Sequence, residues 1–128
     1  MRTLTIGSRG SQLALLQSRQ VAERLLEVHP HLDTHINIIR TQGDKNLDKP
    51  LSEIGGKAVF IAELEEALIK HHIDLAVHSL KDLPSSLPDG LNYLGSPPRE
   101  DPRDVFVSTK WKTIDEIPGG GTIATGSV

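Results

Sequence analysis

The chain contains no cysteine. That excludes disulfides, thiolate catalysis and cysteine zinc sites within these 128 residues. Aromatics are nearly as scarce, with one Trp, one Tyr and two Phe, so aliphatic side chains must build any core. A net charge of −3 is too mild for a nucleic-acid surface or an acidic tail. No apolar run is long enough to span a bilayer. Met1-Arg2-Thr3-Leu4-Thr5-Ile6 also lacks the core of a signal peptide. The expectation is a soluble, cytoplasmic chain with neither nucleic acid nor membrane as partner. Six histidines are present, but His71-His72 diverge around a helix end and His29, His31 and His35 surround a loop. They show no metal-ligand spacing, and no metal is expected.

What is present is a globular composition, 37% hydrophobic, organised as alternating strands and helices. Leu4-Thr5-Ile6 reads as a strand running into Gly7-Ser8-Arg9-Gly10-Ser11. A helix follows, with Leu13, Leu16, Val21, Leu25 and Val28 as its apolar stripe and Pro30 beyond its end. His35 to Ile39 reads as a second strand with Ile36 and Ile38 on one face, and Gln42 to Pro50 as a polar loop. Gly55-Gly56-Lys57 precedes a second helix that buries Phe60, Leu64, Ala67 and Leu68 and turns Glu63, Glu65, Glu66 and Lys70 to water. Ile73 to Val77 reads as a buried strand ending at His78-Ser79-Leu80-Lys81-Asp82. Further strands are expected near Leu91–Leu94, Val105–Val107 and Thr122–Ala124, with a short helix near Thr113–Ile117. This alternation predicts an α/β sheet with substantial parallel pairing. The last strand runs into Thr125-Gly126-Ser127-Val128, where a helix would ordinarily follow, and we expect the chain to be part of a longer one.

Four segments could carry chemistry. Ser8-Arg9-Gly10-Ser11 joins a strand to a helix, so free backbone N–H groups, the positive dipole end and the Arg9 fork could hold an anion. The plainer alternative is a serine cap beside a solvated arginine. Gly55-Gly56-Lys57 with Phe60 is either a loop that presents a cation or a simple connector. His78 to Asp82 lies past a buried strand, where open α/β sheets collect ligands. Asp82 there is either an acid/base or charge-stabilising carboxylate or a turn residue. Arg99-Glu100-Asp101-Pro102-Arg103-Asp104 reads as a structural salt-bridge run.

Together and in this order these segments resemble the porphobilinogen deaminase (hydroxymethylbilane synthase) family. The matching runs are Ile6 to Leu15, Gly43-Asp44, Gly55 to Phe60, Glu63-Leu64-Glu65, Asp74 to Pro84, Arg99 to Asp104 and Ala124 to Val128. His-Ser-x-Lys-Asp-x-Pro together with Arg-Glu-Asp-Pro-Arg-Asp is highly specific.

The resemblance implies a three-domain transferase of porphyrin (haem) biosynthesis. It joins four porphobilinogen units with loss of ammonia on a covalent dipyrromethane cofactor and releases the linear tetrapyrrole hydroxymethylbilane. The full-length enzyme would be a monomer. The implied fold is a type II periplasmic-binding-protein-like lobe, its mixed, largely parallel sheet flanked by helices, plus the start of a second similar lobe. Residues 1–97 would form domain 1, 98–103 a hinge and 104–128 the start of domain 2.

By the same resemblance Asp82 is catalytic, its carboxylate contacting pyrrole nitrogens and stabilising the azafulvene-like cation formed on deamination. Arg9 and Ser11 would hold carboxylates of substrate or growing chain. Lys57 and Phe60 belong to a loop over the cleft. Ser79, Lys81, Thr125 and Ser127 join Asp82 in contacting the cofactor. The chain departs from the family in three ways. The cofactor-anchoring cysteine and the paired arginines after the Gly-Ser-Val turn are not among its residues. Ala62 and Gly126 stand where many members have lysine and serine. The 128 residues alone are expected to be inactive. A non-catalytic lobe that binds a small carboxylate is the alternative.

Overall fold

The computed structural model describes residues 3–41, 44 and 61–125. The expectations for Lys57, Phe60 and Ser127, and for Gly43 and the Gly55-Gly56 pair, fall outside the described residues. By contact density the chain divides into two units, Met1–Gly95 and Ser96–Val128.

The first unit is an α/β layer structure. Strand β1 spans Thr3–Ser8, helix α1 Gln12–Val28, β2 Asp33–Ile38, α2 Ala62–Ile69 and β3 Leu75–Ala76. The strands pair in the order β2-β1-β3, and both pairings are parallel. The expected class is therefore met, but the described sheet is parallel throughout rather than mixed. β1 runs two residues past Ile6, because Gly7 and Ser8 stay in register opposite Asn37 and Ile38. β2 starts early at Asp33, whose carboxylate accepts from Thr3 Oγ1 at 2.9 Å. β3 is shorter than the expected Ile73 to Val77. The Asp74 carboxylate, rather than a carbonyl, accepts the Thr5 N–H at 2.8 Å, so regular pairing begins only at Leu75.

Helix α1 starts where Ser11 caps it, the hydroxyl accepting from Ala14 N–H at 3.3 Å. Its buried face matches the expected stripe only in part: Val21 and Leu25 are half-buried. Ser18 (0% exposed) and Ala22 (7%), four residues apart, are buried, whereas Leu13 (60%), Leu16 (52%) and Val28 (72%) are exposed. The leucines mixed two faces of the helix. Small side chains instead form the seat and let the helix lie close to its neighbours.

α2 buries Leu64 and Ala67 as expected, and these pack with Ile73. On its exposed side Lys70 pairs with Glu66 one turn earlier. The helix closes on His71, whose φ of 55° is left-handed. His71 N–H donates to Leu68 O at 3.0 Å and His72 N–H to Ala67 O at 2.9 Å, the two bonds of a Schellman closure. That turn drops Ile73 into the core and starts the chain toward β3.

Gly7 marks where α2 meets the sheet. A Cβ there would stand 2.3 Å from Ile73 Cδ1 and 2.9 Å from Leu64 Cδ2. Pleating sends Ile6 and Ser8, both fully buried, to the opposite face.

Neither Leu91–Leu94 nor, in the second unit, Val105–Val107 and Thr122–Ala124 is a strand. Val105 is 81% and Val107 86% exposed. A strand requires a neighbour for its N–H and C=O groups, and no such pairing is found for these segments among the described residues. A single 3-10 turn, Ile114–Glu116, occupies the place of the expected short helix. Arg103 and Asp101 form a forked ion pair, both side chains largely in water.

Candidate active site

Because the strands are parallel, all three release the chain at one edge of the sheet. β1 leads to Arg9, β2 to Thr41 and Asp44, and β3 to His78 and the 3-10 turn Leu80–Asp82. β1 lies in the middle. Its connection through α1 goes to β2 on one side, and the chain then crosses to β3 on the other. Opposite departures of this kind open a crevice at the carboxyl ends of the central strands, where α/β sheets bind ligands.

Arg9 is held from the β2 side. Its Nη2 lies 2.6 Å and its Nε 3.1 Å from Asp44 Oδ1. The other oxygen, Oδ2, accepts from Thr41 Oγ1 at 2.8 Å and from Thr41 N–H at 3.3 Å. Thr41 is fully buried. Burial pushes the Asp44 carboxyl up. The hydrogen bonds from Arg9 and Thr41 and the guanidinium charge outweigh that and hold it below its ordinary value.

From the β3 side Arg9 faces a half-buried histidine. Burial pushes the His78 imidazole below its ordinary value of 6.5; the Asp82 carboxylate pulls it up and Arg9 pushes it further down. Arg9 and Asp82, 73 positions apart in the chain (82 − 9), are thus both within electrostatic reach of the His78 imidazole. His78 has a consequence for pH. Below 6.5 the unfolded chain takes up a proton that the folded chain resists, so folding loses stability as pH falls from that value toward the folded one. His78→Gln is expected to flatten this part of the profile, read as thermal midpoints on either side of 6.5.

Asp82 closes its 3-10 turn by donating its N–H to Ser79 O at 2.9 Å. Its half-exposed carboxylate has no hydrogen-bond partner among the described residues. Ser79 is half-buried and Lys81 exposed on the same turn. An open hollow of about 490 Å³ adjoins the turn, lined by residues such as Leu80, Leu83, Pro84 and Tyr93. All of its lining residues are uncharged.

The structure therefore brings Arg9, Ser79, Lys81 and Asp82 to one sheet edge, with Ser11 at the mouth of α1. Ser11's hydroxyl serves as the helix cap, as the plainer alternative had it. Thr125 is exposed in the second unit. Sequence reasoning missed Thr41 and Asp44 as site residues. Their signal was a Gly-Asp pair just past a strand end. Among the described residues no group of three or more His, Asp or Glu could hold a metal ion, and no helix is long and apolar enough to cross a membrane.

A family model described as porphobilinogen deaminase, dipyromethane cofactor binding domain, matches residues 4–128. The chain belongs to the porphobilinogen deaminase family. Proteins of that name to which it is similar include one from Syntrophus aciditrophicus, 51% identical over 125 residues, covering 98% of this chain and 41% of the relative. One from Staphylococcus carnosus is 49% identical over 128 residues, covering all of this chain and 42% of the relative. One from Chromobacterium violaceum is 48% identical over 128 residues, covering all of this chain and 41% of the relative. The chain thus spans about two fifths of the length of these curated relatives.

Proposed function

We propose that the chain is part of a cytoplasmic, monomeric porphobilinogen deaminase that polymerises four porphobilinogen units, with loss of ammonia, to hydroxymethylbilane. Residues 1–97 form domain 1, a type II periplasmic-binding-protein-like lobe, 98–103 a hinge and 104–128 the start of domain 2. The observation that carries the reading is the Asp82 carboxylate at the same sheet edge as the Arg9–Asp44 pair, with His78 in electrostatic reach of Arg9 and Asp82. The β2-β1-β3 order, with its crevice, supports the lobe assignment.

The donor set fits a dipyrromethane cofactor. Such a molecule carries several carboxylates and two pyrrole N–H groups. The exposed Lys81 and the hydroxyl of Ser79 suit the former, and the half-exposed Asp82 carboxylate suits the latter. Thr125 and Ser127 are further cofactor-binding residues in this reading. These 128 residues supply no thiol, so they do not attach the cofactor covalently. When bound, the cofactor supplies the pyrrole carbon to which the first substrate unit is joined.

The protein residues act as follows. Arg9 and Ser11, with Lys57 and Phe60, bind porphobilinogen, the cations holding its acetate and propionate. Asp82 accepts the pyrrole N–H. As ammonia leaves the protonated aminomethyl group with the C–N bonding pair, positive charge moves from the ammonium to the methylene carbon and spreads onto the pyrrole nitrogen, beside the Asp82 carboxylate. A fixed negative charge aimed at that nitrogen stabilises the transition state more than the ground state, in which the ring is neutral.

Incubation of the full-length protein with porphobilinogen tests the proposal. Ammonia release and appearance of the linear tetrapyrrole are expected, and the 128 residues alone are expected to give neither. A full-length protein that binds porphobilinogen without consuming it would instead be the non-catalytic carboxylate-binding lobe.

A further inference from the structure

We propose that Asp44 is a positioning residue, which with Thr41 locks the Arg9 guanidinium into the orientation that receives a substrate carboxylate. The inference rests on the reading of Arg9 as a carboxylate-binding residue. Three observations carry it. Asp44 grips Arg9 through both Nε and Nη2, which fixes the plane of the fork as well as its place. Asp44 is itself held at its other oxygen by the hydroxyl and the N–H of Thr41, a residue with no exposed surface. The anchor of the chain Thr41–Asp44–Arg9 therefore lies in the protein interior at the end of β2, while its tip lies at the end of β1, the strand flanking the crevice.

Charge and positioning make opposite demands, and this makes the proposal testable. A second carboxylate on Arg9 weakens the pull of Arg9 on an anion. If Asp44 acted only through its charge, Asp44→Asn would tighten substrate binding. If it positions Arg9, the same change weakens binding, because a mobile arginine must be ordered each time substrate arrives.

The experiment is a double-mutant cycle in the full-length protein with porphobilinogen as substrate, comparing wild type, Asp44→Asn, Arg9→Gln and the double variant. Asp44→Asn is expected to raise KM about tenfold, the scale of losing a charged hydrogen-bond partner, with a smaller change in kcat. In the Arg9→Gln background the same substitution is expected to leave KM unchanged. A fall in KM on Asp44→Asn, or an equal rise in both backgrounds, would overturn the proposal. Should Asp44→Asn alone not fold, Arg9→Gln against the double variant decides it: a further rise in KM overturns it, and no rise upholds it. A wild-type protein that consumes no porphobilinogen would defeat the functional reading. In that case binding of porphobilinogen, measured across the same four proteins, tests the positioning role by the same pattern.

Discussion

In the full-length protein Asp82→Asn is expected to lower kcat for porphobilinogen by about 10²–10³-fold, the scale of removing one preorganised electrostatic contact. The substitution keeps size and shape and removes only charge. The turn carrying it is held by backbone bonds, Asp82 N–H to Ser79 O and Leu83 N–H to Leu80 O, which the change does not touch. The carboxylate loses no hydrogen bond to any described residue, so the thermal midpoint is expected to move little. The split between kcat and stability separates a charge-stabilising role from that of a turn residue. A kcat within a few-fold of wild type, with the fold intact, would remove Asp82 from the chemistry.

Gly7→Val is expected to be the most damaging single change to the fold of the first unit. Even an alanine Cβ would sit 2.3 Å from Ile73 Cδ1 and 2.9 Å from Leu64 Cδ2. Both atoms are side-chain tips and could swing aside in a loose site. Here Leu64 is 0% and Ile73 2% exposed, so neither can swing aside into solvent without disturbing the core. Alanine is therefore expected to cost about 1–3 kcal/mol from overpacking. The stiffer unfolded chain offsets about 0.4–1 kcal/mol of that. Valine adds two γ carbons to the same clash and is expected to cost more than alanine. The effect reaches the site because β1 carries Arg9 two residues further on. Thermal unfolding and soluble yield of the full-length variants check it. A Gly7→Val protein as stable as wild type would show that α2 seats more loosely than its geometry requires.

Much of the architecture was legible from local pattern. Alternation of strand and helix signals specified the α/β class, and Leu64 and Ala67 were readable as the buried face of α2 because three-residue spacing places them together. A serine cap was readable at Ser8 or Ser11 because a short oxygen-bearing side chain serves there, and the structure selects Ser11. The reading failed where a property depends on neighbours remote in sequence. The face of α1 was misjudged because leucines outrank serine and alanine in hydrophobicity, whereas close approach of the helix favours Ser18 and Ala22. Val105 to Val107 has the composition of a strand, but pairing is a property of two segments and not of one.

The same division holds for the candidate site. By sequence alone the chain identified its family and the types of residue available for chemistry. The order of its motifs is sufficient for that, because each motif is a local run of side chains. Only tertiary structure decided that Arg9 belongs with Asp44 and Thr41 on one side and with His78 and Asp82 on the other. Parallel strands gather at one edge residues that the chain separates by tens of positions, and charge acts through distance in space. An aspartate past a strand end has no meaning until the strand's neighbour is known.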